Sequence, residues 1–523
     1  MAQEDLLREG GGEAGRARQK KLGRLTARER IEYLLDDDSP FLEVGLWSAW
    51  NMYPEAGNVA AAGLVAGIGY VNDRAVLVSA SDATVKAGAF FPATCKKVLR
   101  AQKIAMKCHL PTVYLVDSAG VYLPMQDEIF PDEDDFGRVF YNNSRMSAMG
   151  IPQYSAVMGN CVAGGAYLPV LSDKMLMTAD SELYLAGPAL VKAAIGQKSD
   201  AAELGGAKMH AEVSGTTDFV EENDEKCLDR LRSLIGLLPE DDFGDYESKE
   251  PEKDATSLYD IVSVDGRSEY DVRDLLKGIV DAGSMDEYKA DYGKPLVCCY
   301  ARLEGRPIGI VANQRHRTKT AGGEIQIGGV IYHQSADKAA RFIMDCDQTG
   351  LPILFIQDVT GFMVGKASEQ AGIIRSGAKL VNAVSNVRVP KITLIVGGSF
   401  GAGNYALCGK GFDPTFIFAW PNAKYAVMGG AQAASTLTQL EARKASRDGK
   451  ELADNELADL RKKVEDDYAG KTDIRYGAAR GWVDAIIAPH DTRQTLGMAF
   501  EVASRSLQAD TQRPGFRGGV FQT

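Results

Sequence analysis

Two short stretches, Ala163-Gly164-Gly165-Ala166 and Gly401-Ala402-Gly403-Asn404, stand where backbone groups alone could do chemistry. Each follows an apolar run of strand character and leads into small residues that read as the opening of a helix. Glycine lets the chain bend sharply and come close to a ligand, and the first N–H groups of a helix lack intrahelical acceptors. Such donors, aimed at one point in a dry pocket, stabilise a developing oxyanion by on the order of 3 to 4 kcal/mol each. The same glycines could serve only to bring a helix close to a sheet. Two copies at matching positions favour the oxyanion reading.

Three further motifs are weaker. Gly397-Gly398-Ser399-Phe400-Gly401 satisfies G-x-S-x-G between a strand and a helix, and Asp484 and His490 follow in the order an α/β-hydrolase uses. Against it, the first copy carries Cys161 at the matching region, and His490 sits in a segment, Ile487 to Thr492, that reads as a surface turn entering a helix. The hydrolase is therefore a remote alternative. Gly10 to Gly15 satisfies G-x-G-x-x-G, but no strand precedes it, so it reads as a flexible N-terminal turn. Ala105-Met106-Lys107 is the tripeptide of biotin-carrying domains, yet here it lies inside an expected helix, Thr94 to Cys108, and Lys107 is not expected to be modified. Histidine occurs five times, at 109, 210, 316, 333 and 490, which leaves little material for histidine-based catalysis or a metal site. The eight cysteines form no C-x-x-C pair and read as buried thiols of a reducing compartment.

The elements that must position the two turns repeat. Leu110 to Gly120 lies over Leu351 to Gly361 at a constant offset of 241, and Ile151 to Tyr167 lies over Val389 to Tyr405 at 238. Helices are expected between the paired strands, Asp135 to Met149 in one half and Glu369 to Asn386 in the other. Strands alternating with helices, twice over, give an α/β protein with one fold used twice. An acidic stretch, Leu238 to Asp254, reads as the linker between halves. A basic stretch from Gly10 to Leu35 contains a capping box, Thr26 with Glu29, and Gln439 to Ala469 reads as a surface helical pair. Across 523 residues, 45% hydrophobic and 25% charged with a net charge of -12, the balance is that of a globular protein and argues against nucleic-acid binding. No apolar run is long enough to span a membrane and no signal-peptide order opens the chain, so a cytoplasmic protein is expected.

Taken in order, these motifs resemble those of biotin-dependent acyl-CoA carboxylase β subunits, the carboxyltransferase component, and most closely the methylcrotonoyl type. The resemblance rests on Gly10 to Ala14, Arg28-Glu29-Arg30-Ile31, Asp82 to Gly88, Phe136 to Asn142, Ala163 to Tyr167 and Leu190 to Ala194. In the second half it continues through Gly361 to Gly365, Gly401 to Tyr405, Trp420 to Ala423 and Val427 to Gly430.

That resemblance implies two tandem crotonase-like (ββα spiral) domains, residues 1–250 on the acyl-CoA side and 260–515 on the biotin side. It implies that Gly164 and Gly165 hold the thioester oxygen of the acyl-CoA and that Ala402 and Gly403 hold the ureido oxygen of biotin. Lys86, Ala163, Ala166, Lys192 and Tyr405 become candidate substrate-binding residues, and Gly401 and Asn404 candidate biotin-binding residues. Biotin would be carried by a partner α subunit with biotin carboxylase and carrier functions, and coenzyme A would arrive as part of the substrate. The chain would form a homo-oligomer, a hexamer by the family's habit, with each site shared between neighbours. With the proton passing to the cofactor's ureido group, no protein base is required. Among acyl groups 3-methylcrotonoyl is favoured, since a Tyr at 405 goes with the methylcrotonoyl and geranyl types. Propionyl-, acetyl- or geranoyl-CoA and a glutaconyl-CoA decarboxylase-type role stay open, as does a non-enzymatic scaffold role. Asn313 to Gly329 looks like an insertion relative to the methylcrotonoyl type. Its Arg315, His316, Arg317 and Lys319 read as a solvated basic loop or a phosphate or partner contact. A basic surface for the CoA phosphates is sought in Arg16 to Arg30 or in the face with Lys96, Lys97, Arg100 and Lys103.

Overall fold

A computed structural model describes residues 2–238, 246–266, 268–320, 322–447 and 453–512. Two compact units divide the chain, one chiefly Met1–Phe243 and the other chiefly Gly244–Ala478 with Trp482–Leu507.

In the first unit the strands are β1 (Leu42–Glu43), β2 (Leu64–Val71), β3 (Arg74–Ser81), β4 (Thr112–Ser118), β5 (Gln153–Val162), β6 (Lys174–Thr178), β7 (Glu182–Tyr184) and β8 (Phe219–Glu221). They form one sheet in the order β1-β2-β3-β4-β5-β6-β8, with β7 pairing the end of β5. β2 and β3 make an antiparallel hairpin, closed by Asn72 and Asp73 at φ 51° and 59°. Two consecutive left-handed residues twist a two-residue loop in the sense the strands require. From β3 onward every pairing is parallel, so the strands need crossover connections, and those into β4 and β5 run through helices Pro92–Cys108 and Phe136–Ala148. Ala27–Leu34, with its expected capping box, and Asp224–Gly236 supply Ile31, Leu34, Leu228, Leu231 and Ile235 to a core shared with β2 to β6.

The second unit repeats this. Its strands are β9 (Asp286–Tyr288), β10 (Leu296–Leu303), β11 (Arg306–Asn313), β12 (Thr318–Lys319), β13 (Ile325–Gln326), β14 (Val330–Ile331), β15 (Ile353–Val359), β16 (Gly361–Phe362), β17 (Lys391–Phe400), β18 (Phe416–Ala419), β19 (Lys424–Ala426) and β20 (Ala485–Ile486). The sheet order β9-β10-β11-β15-β17-β18-β20, with β19 on β17, matches the first strand for strand. Its hairpin β10/β11 again closes on two left-handed residues, Glu304 and Gly305. Helices His333–Thr349 and Ile373–Asn386 cover its core. Even the irregularity recurs: the β4/β5 register slips between Val116 and Ser118, and the β15/β17 register slips between Gln357 and Val359.

Several expectations change. The Gly10 to Gly15 stretch is no flexible turn. It joins helix Ala2–Arg8 to helix Gly12–Lys21, and Gly11 and Gly15 lie so close to Thr84 that a Cβ would come within 1.8 and 2.8 Å of it. Of the expected linker, 239–245 lies outside the described residues. From 246 on the chain runs against the second unit, with Pro251 bridged to Asp281 and the Lys253 N–H donating to Lys277 O. The expected helix from Glu369 is two helices, Lys366–Gln370 and Ile373–Asn386, broken at Gly372 (φ 81°). The charged helical pair starts earlier than its charges suggest, as Gly430–Arg447 and Asp454–Thr472. Among the described residues no helix is long and apolar enough to cross a membrane.

Candidate active site

Each glycine-rich turn sits at the end of a long central strand. β5 ends at Val162 (φ −122°, ψ 148°), Ala163 turns left-handed at φ 59°, and a tight helical turn Ala163–Ala166 runs into Tyr167–Val170. β17 ends at Phe400 (φ −116°, ψ 139°), Gly401 turns left-handed at φ 55°, and Gly401–Ala406 is helical. The two turns thus share one backbone path. That Ala163 adopts a left-handed conformation costs about 1 kcal/mol, a strain typical of functional turns. The N–H groups of Gly164 and Gly165, and of Ala402 and Gly403, fall in the first turn of their helices and have no intrahelical acceptor.

The space around the turns differs. A Cβ on Gly165 would meet nothing within 4 Å, whereas one on Gly164 would touch Phe136 at 3.2 Å and one on Gly403 would collide with Val359 at 2.5 Å. Behind Gly165 lies a cavity of about 20 Å³ lined by Phe90, Tyr114, Phe136 and Leu168, among others. Ala163 is half-buried and Ala166 buried, while Tyr167 and Tyr405, at matching positions, are 48% and 52% exposed. Lys86 heads a left-handed run, Lys86 to Gly88, which the Ala119 N–H and the Ser118 hydroxyl tie to the end of β4; its own side chain is exposed. Lys192 is exposed on helix Pro188–Ile195.

Asn404 faces inward. Its Nδ2 donates to Ser399 Oγ at 2.7 Å and its Oδ1 accepts from the Tyr425 hydroxyl at 3.3 Å. Ser399 in turn donates to Gln357 Oε1 at 2.6 Å and is fully buried. Asp484 pairs with Lys410 at 2.9 Å, and His490 Nδ1 lies 2.6 Å from the Tyr259 hydroxyl. The Ser-Asp-His order is therefore a sequence coincidence: the hydroxyl braces the second turn, and neither other group is its partner.

Part of the anticipated basic surfaces turns inward, while Arg16, Lys20 and Lys21 stay exposed. Arg18 donates to Ala83 O, Arg24 to Asp180 O, Arg28 pairs with Glu43 at 2.8 Å, and Arg30 is 1% exposed and bonded to Asp224 and Met158 O. Lys97 is buried, donating to Ala61 O at 3.0 Å and Leu64 O at 2.5 Å, and its burial pulls the ammonium pKa down to about 7. Lys96 and Lys103 remain exposed on that helix. In the insertion, β12 and β13 form a hairpin, and Arg315 turns inward to Asp358 at 3.0 Å instead of joining a solvated patch. Lys107 lies within helix Pro92–Cys108. All eight cysteines are buried thiols outside any disulfide, and burial pushes the Cys95 thiol up to about 12. Sequence reasoning gave no role to two acids of the repeat, Asp117 and Asp358, each 4% exposed beneath a turn.

Over residues 18–514 the chain matches the sequence model of the family described as Carboxyl transferase domain. It is 43% identical over 522 residues, 98% of this chain and 94% of the relative, to the biotin-dependent 3-methylcrotonyl-coenzyme A carboxylase beta1 subunit of Mycobacterium tuberculosis. It is 43% identical over 523 residues, 98% of this chain and 86% of the relative, to the mitochondrial methylcrotonoyl-CoA carboxylase beta chain of Arabidopsis thaliana. Among solved structures it is similar to the beta subunit of P. aeruginosa geranyl-CoA carboxylase, with a TM-score of 0.88 and 37% identity over 100% of this chain and 94% of that one.

Proposed function

The chain belongs to the carboxyl transferase domain family, and from that premise we infer that it is the carboxyltransferase β subunit of a biotin-dependent acyl-CoA carboxylase. Its fold is the crotonase-like fold of that family, used twice. The single observation that carries the site is the pair of matching backbone turns, one in each unit.

In this reading the N–H groups of Gly164 and Gly165 take the thioester oxygen of the acyl-CoA as it becomes an enolate. Those of Ala402 and Gly403 take the ureido oxygen of biotin. The second turn fits such a group, since its donors are peptide N–H groups on small residues, Gly401 to Gly403, with Ala402 exposed. When bound, carboxylated biotin supplies CO2 and a ureido nitrogen that can accept a proton. The chain's share is orientation, charge stabilisation and exclusion of water, each stronger in a dry pocket than in solution. Ala163, Ala166 and Gly401 shape the two bends, Lys86, Lys192 and Tyr405 are exposed and available to substrate, and Asn404 serves as a brace behind Gly403 instead of touching biotin. We assign biotin to a partner α subunit and the working form to a homo-oligomer, a hexamer in the family manner, in the cytoplasm. The relatives' names support 3-methylcrotonoyl-CoA as substrate.

The test is ATP- and bicarbonate-dependent carboxylation by the chain and its biotin-bearing partner across methylcrotonoyl-, geranoyl-, propionyl- and acetyl-CoA. Methylcrotonoyl-CoA is expected to give the highest kcat/KM. No carboxylation of any of the four, nor decarboxylation of their products, overturns the reading.

A further inference from the structure

Beneath each turn the same buried device recurs. At the register slip, Asp117 of β4 faces the three-residue stretch Met158-Gly159-Asn160 of β5, and Asp358 of β15 faces Val396-Gly397-Gly398 of β17. A strand with extra residues in such a stretch takes some of its N–H groups out of the ladder, and a buried N–H without an acceptor is costly. Each acid supplies that acceptor: Asp117 Oδ1 accepts from the Asn160 N–H at 3.2 Å, and Asp358 Oδ1 from the Gly398 N–H at 2.8 Å. The middle residue of each stretch is glycine because the carboxylate occupies the place of its side chain. A Cβ would come within 2.2 Å of the Asp117 carboxyl at Gly159 and 2.4 Å of Asp358 Oδ1 at Gly397.

The neutralising charges come from unrelated places. Asp117 Oδ2 lies 3.6 Å from Arg30 and 4.0 Å from Arg24, with Gln19 donating to it at 3.4 Å. Asp358 Oδ2 accepts from the Tyr270 hydroxyl at 3.1 Å and pairs with Arg315 at 3.0 Å. Arg24 and Arg30 precede the first sheet, whereas Arg315 follows β11 at the foot of the β12/β13 hairpin. Two different solutions to the charge, around one shared acceptor geometry, single out the acid as the required part.

We infer that Asp117 and Asp358 are positioning residues that fix the phase of the two oxyanion turns by holding the strand N–H three residues before Ala163 and Gly401. This rests on the carboxyltransferase reading for its kinetic consequence but not for its structural one.

The test uses the full chain with its biotin-bearing partner. Asp358→Asn with Arg315→Gln keeps an acceptor oxygen and removes both charges. Asp358→Leu with Arg315→Met removes the acceptor without leaving a buried charge unpaired. The first pair is expected to keep kcat within about 3-fold, and the second to lose at least about 10-fold in kcat with the acyl-CoA KM unchanged within about 2-fold. Amide hydrogen exchange of the unliganded chain, which needs no turnover, is expected to quicken in the Leu/Met variant over 396–403 while β10 and β11 stay protected. Asp117→Asn and Asp117→Leu, with Arg30 still held by Asp224, are expected to repeat the contrast over 158–165. Should the Leu/Met variant fail to fold, that second pair decides. Equal activity and equal exchange in the Asn and Leu variants at either site overturn the inference, as does a kcat loss that merely tracks the fraction unfolded. Altered exchange in a chain that carboxylates nothing supports the inference and sinks the functional reading.

Discussion

At the scale of single residues, the two turns are chemically alike and mechanically different, and this gives a clean experiment. Gly165→Ala places a methyl group where no atom lies within 4 Å, so the fold is expected to be unaffected. Carboxylation is expected to fall by about 10²-fold, because the methyl occupies the approach to the donors. Gly403→Ala drives its methyl to 2.5 Å from Val359, and overpacking of this kind costs about 1 to 3 kcal/mol. Its loss of activity is therefore expected to come with a lowered Tm, and calorimetry beside the kinetic assay separates the two cases. The glycines were legible in the sequence because their pattern recurs at a fixed offset. Asn404 and Ser399 were not, since a residue that lines a site and one that braces it from behind have the same address in the chain. Only the hydrogen bonds of Asn404 to Ser399 and of Ser399 to Gln357 tell them apart.

At the scale of elements, equivalent positions on the long covering helices carry buried lysines with opposite fates. Lys97 on Pro92–Cys108 donates to the carbonyls of Ala61 and Leu64. Lys338 on His333–Thr349 has a buried amine without a hydrogen-bond partner among the described residues, its nearest carboxylate being Glu287 at 4.0 Å, which Arg273 already holds. Lys97→Met is expected to destabilise by about 1 to 3 kcal/mol, since two carbonyls lose their donor. Lys338→Met is expected to raise Tm, because it removes an unsatisfied polar group. The folded Lys97 pKa, about 7, lies below its usual 10.5. Between these values the unfolded chain binds more protons, so the Lys97 contribution to stability rises with pH from 7 to 10.5 and is flat below 7. Denaturant unfolding at pH 7.5 and 9.5 is expected to show a smaller rise for Lys97→Met than for the wild type. The strands and covering helices were readable from periodicity and repetition. The fate of charged runs was not: Arg30 stands in a run that looks like a solvated face in sequence, and what turns it inward is an acceptor far along the chain, Asp224.

For the molecule as a whole, two units of one topology each present apolar side chains to solvent near their turns. In the first these include Tyr141, Tyr167, Leu185, Leu190 and Ile195, and in the second Val364, Ile374, Tyr405 and Val427, all more than 45% exposed. In the proposed assembly these are the side chains that a neighbouring copy would cover. If the proposed assembly is the active form, specific activity falls on dilution in step with dissociation measured by sedimentation, and constant activity in a dissociated chain counts against it. The arginines beneath the turns bear on how the molecule is made. Arg30, beside Asp117, is held by Asp224 after 194 positions, while Arg315 pairs with Asp358 across a much shorter stretch of chain. Closing the longer loop costs about 1 kcal/mol more in chain entropy, and on an emerging chain it cannot begin until the last helix of the first unit has been synthesised. The first unit, although first in sequence, would complete its support late in its own synthesis, whereas the second could lock its own soon after β17 appears.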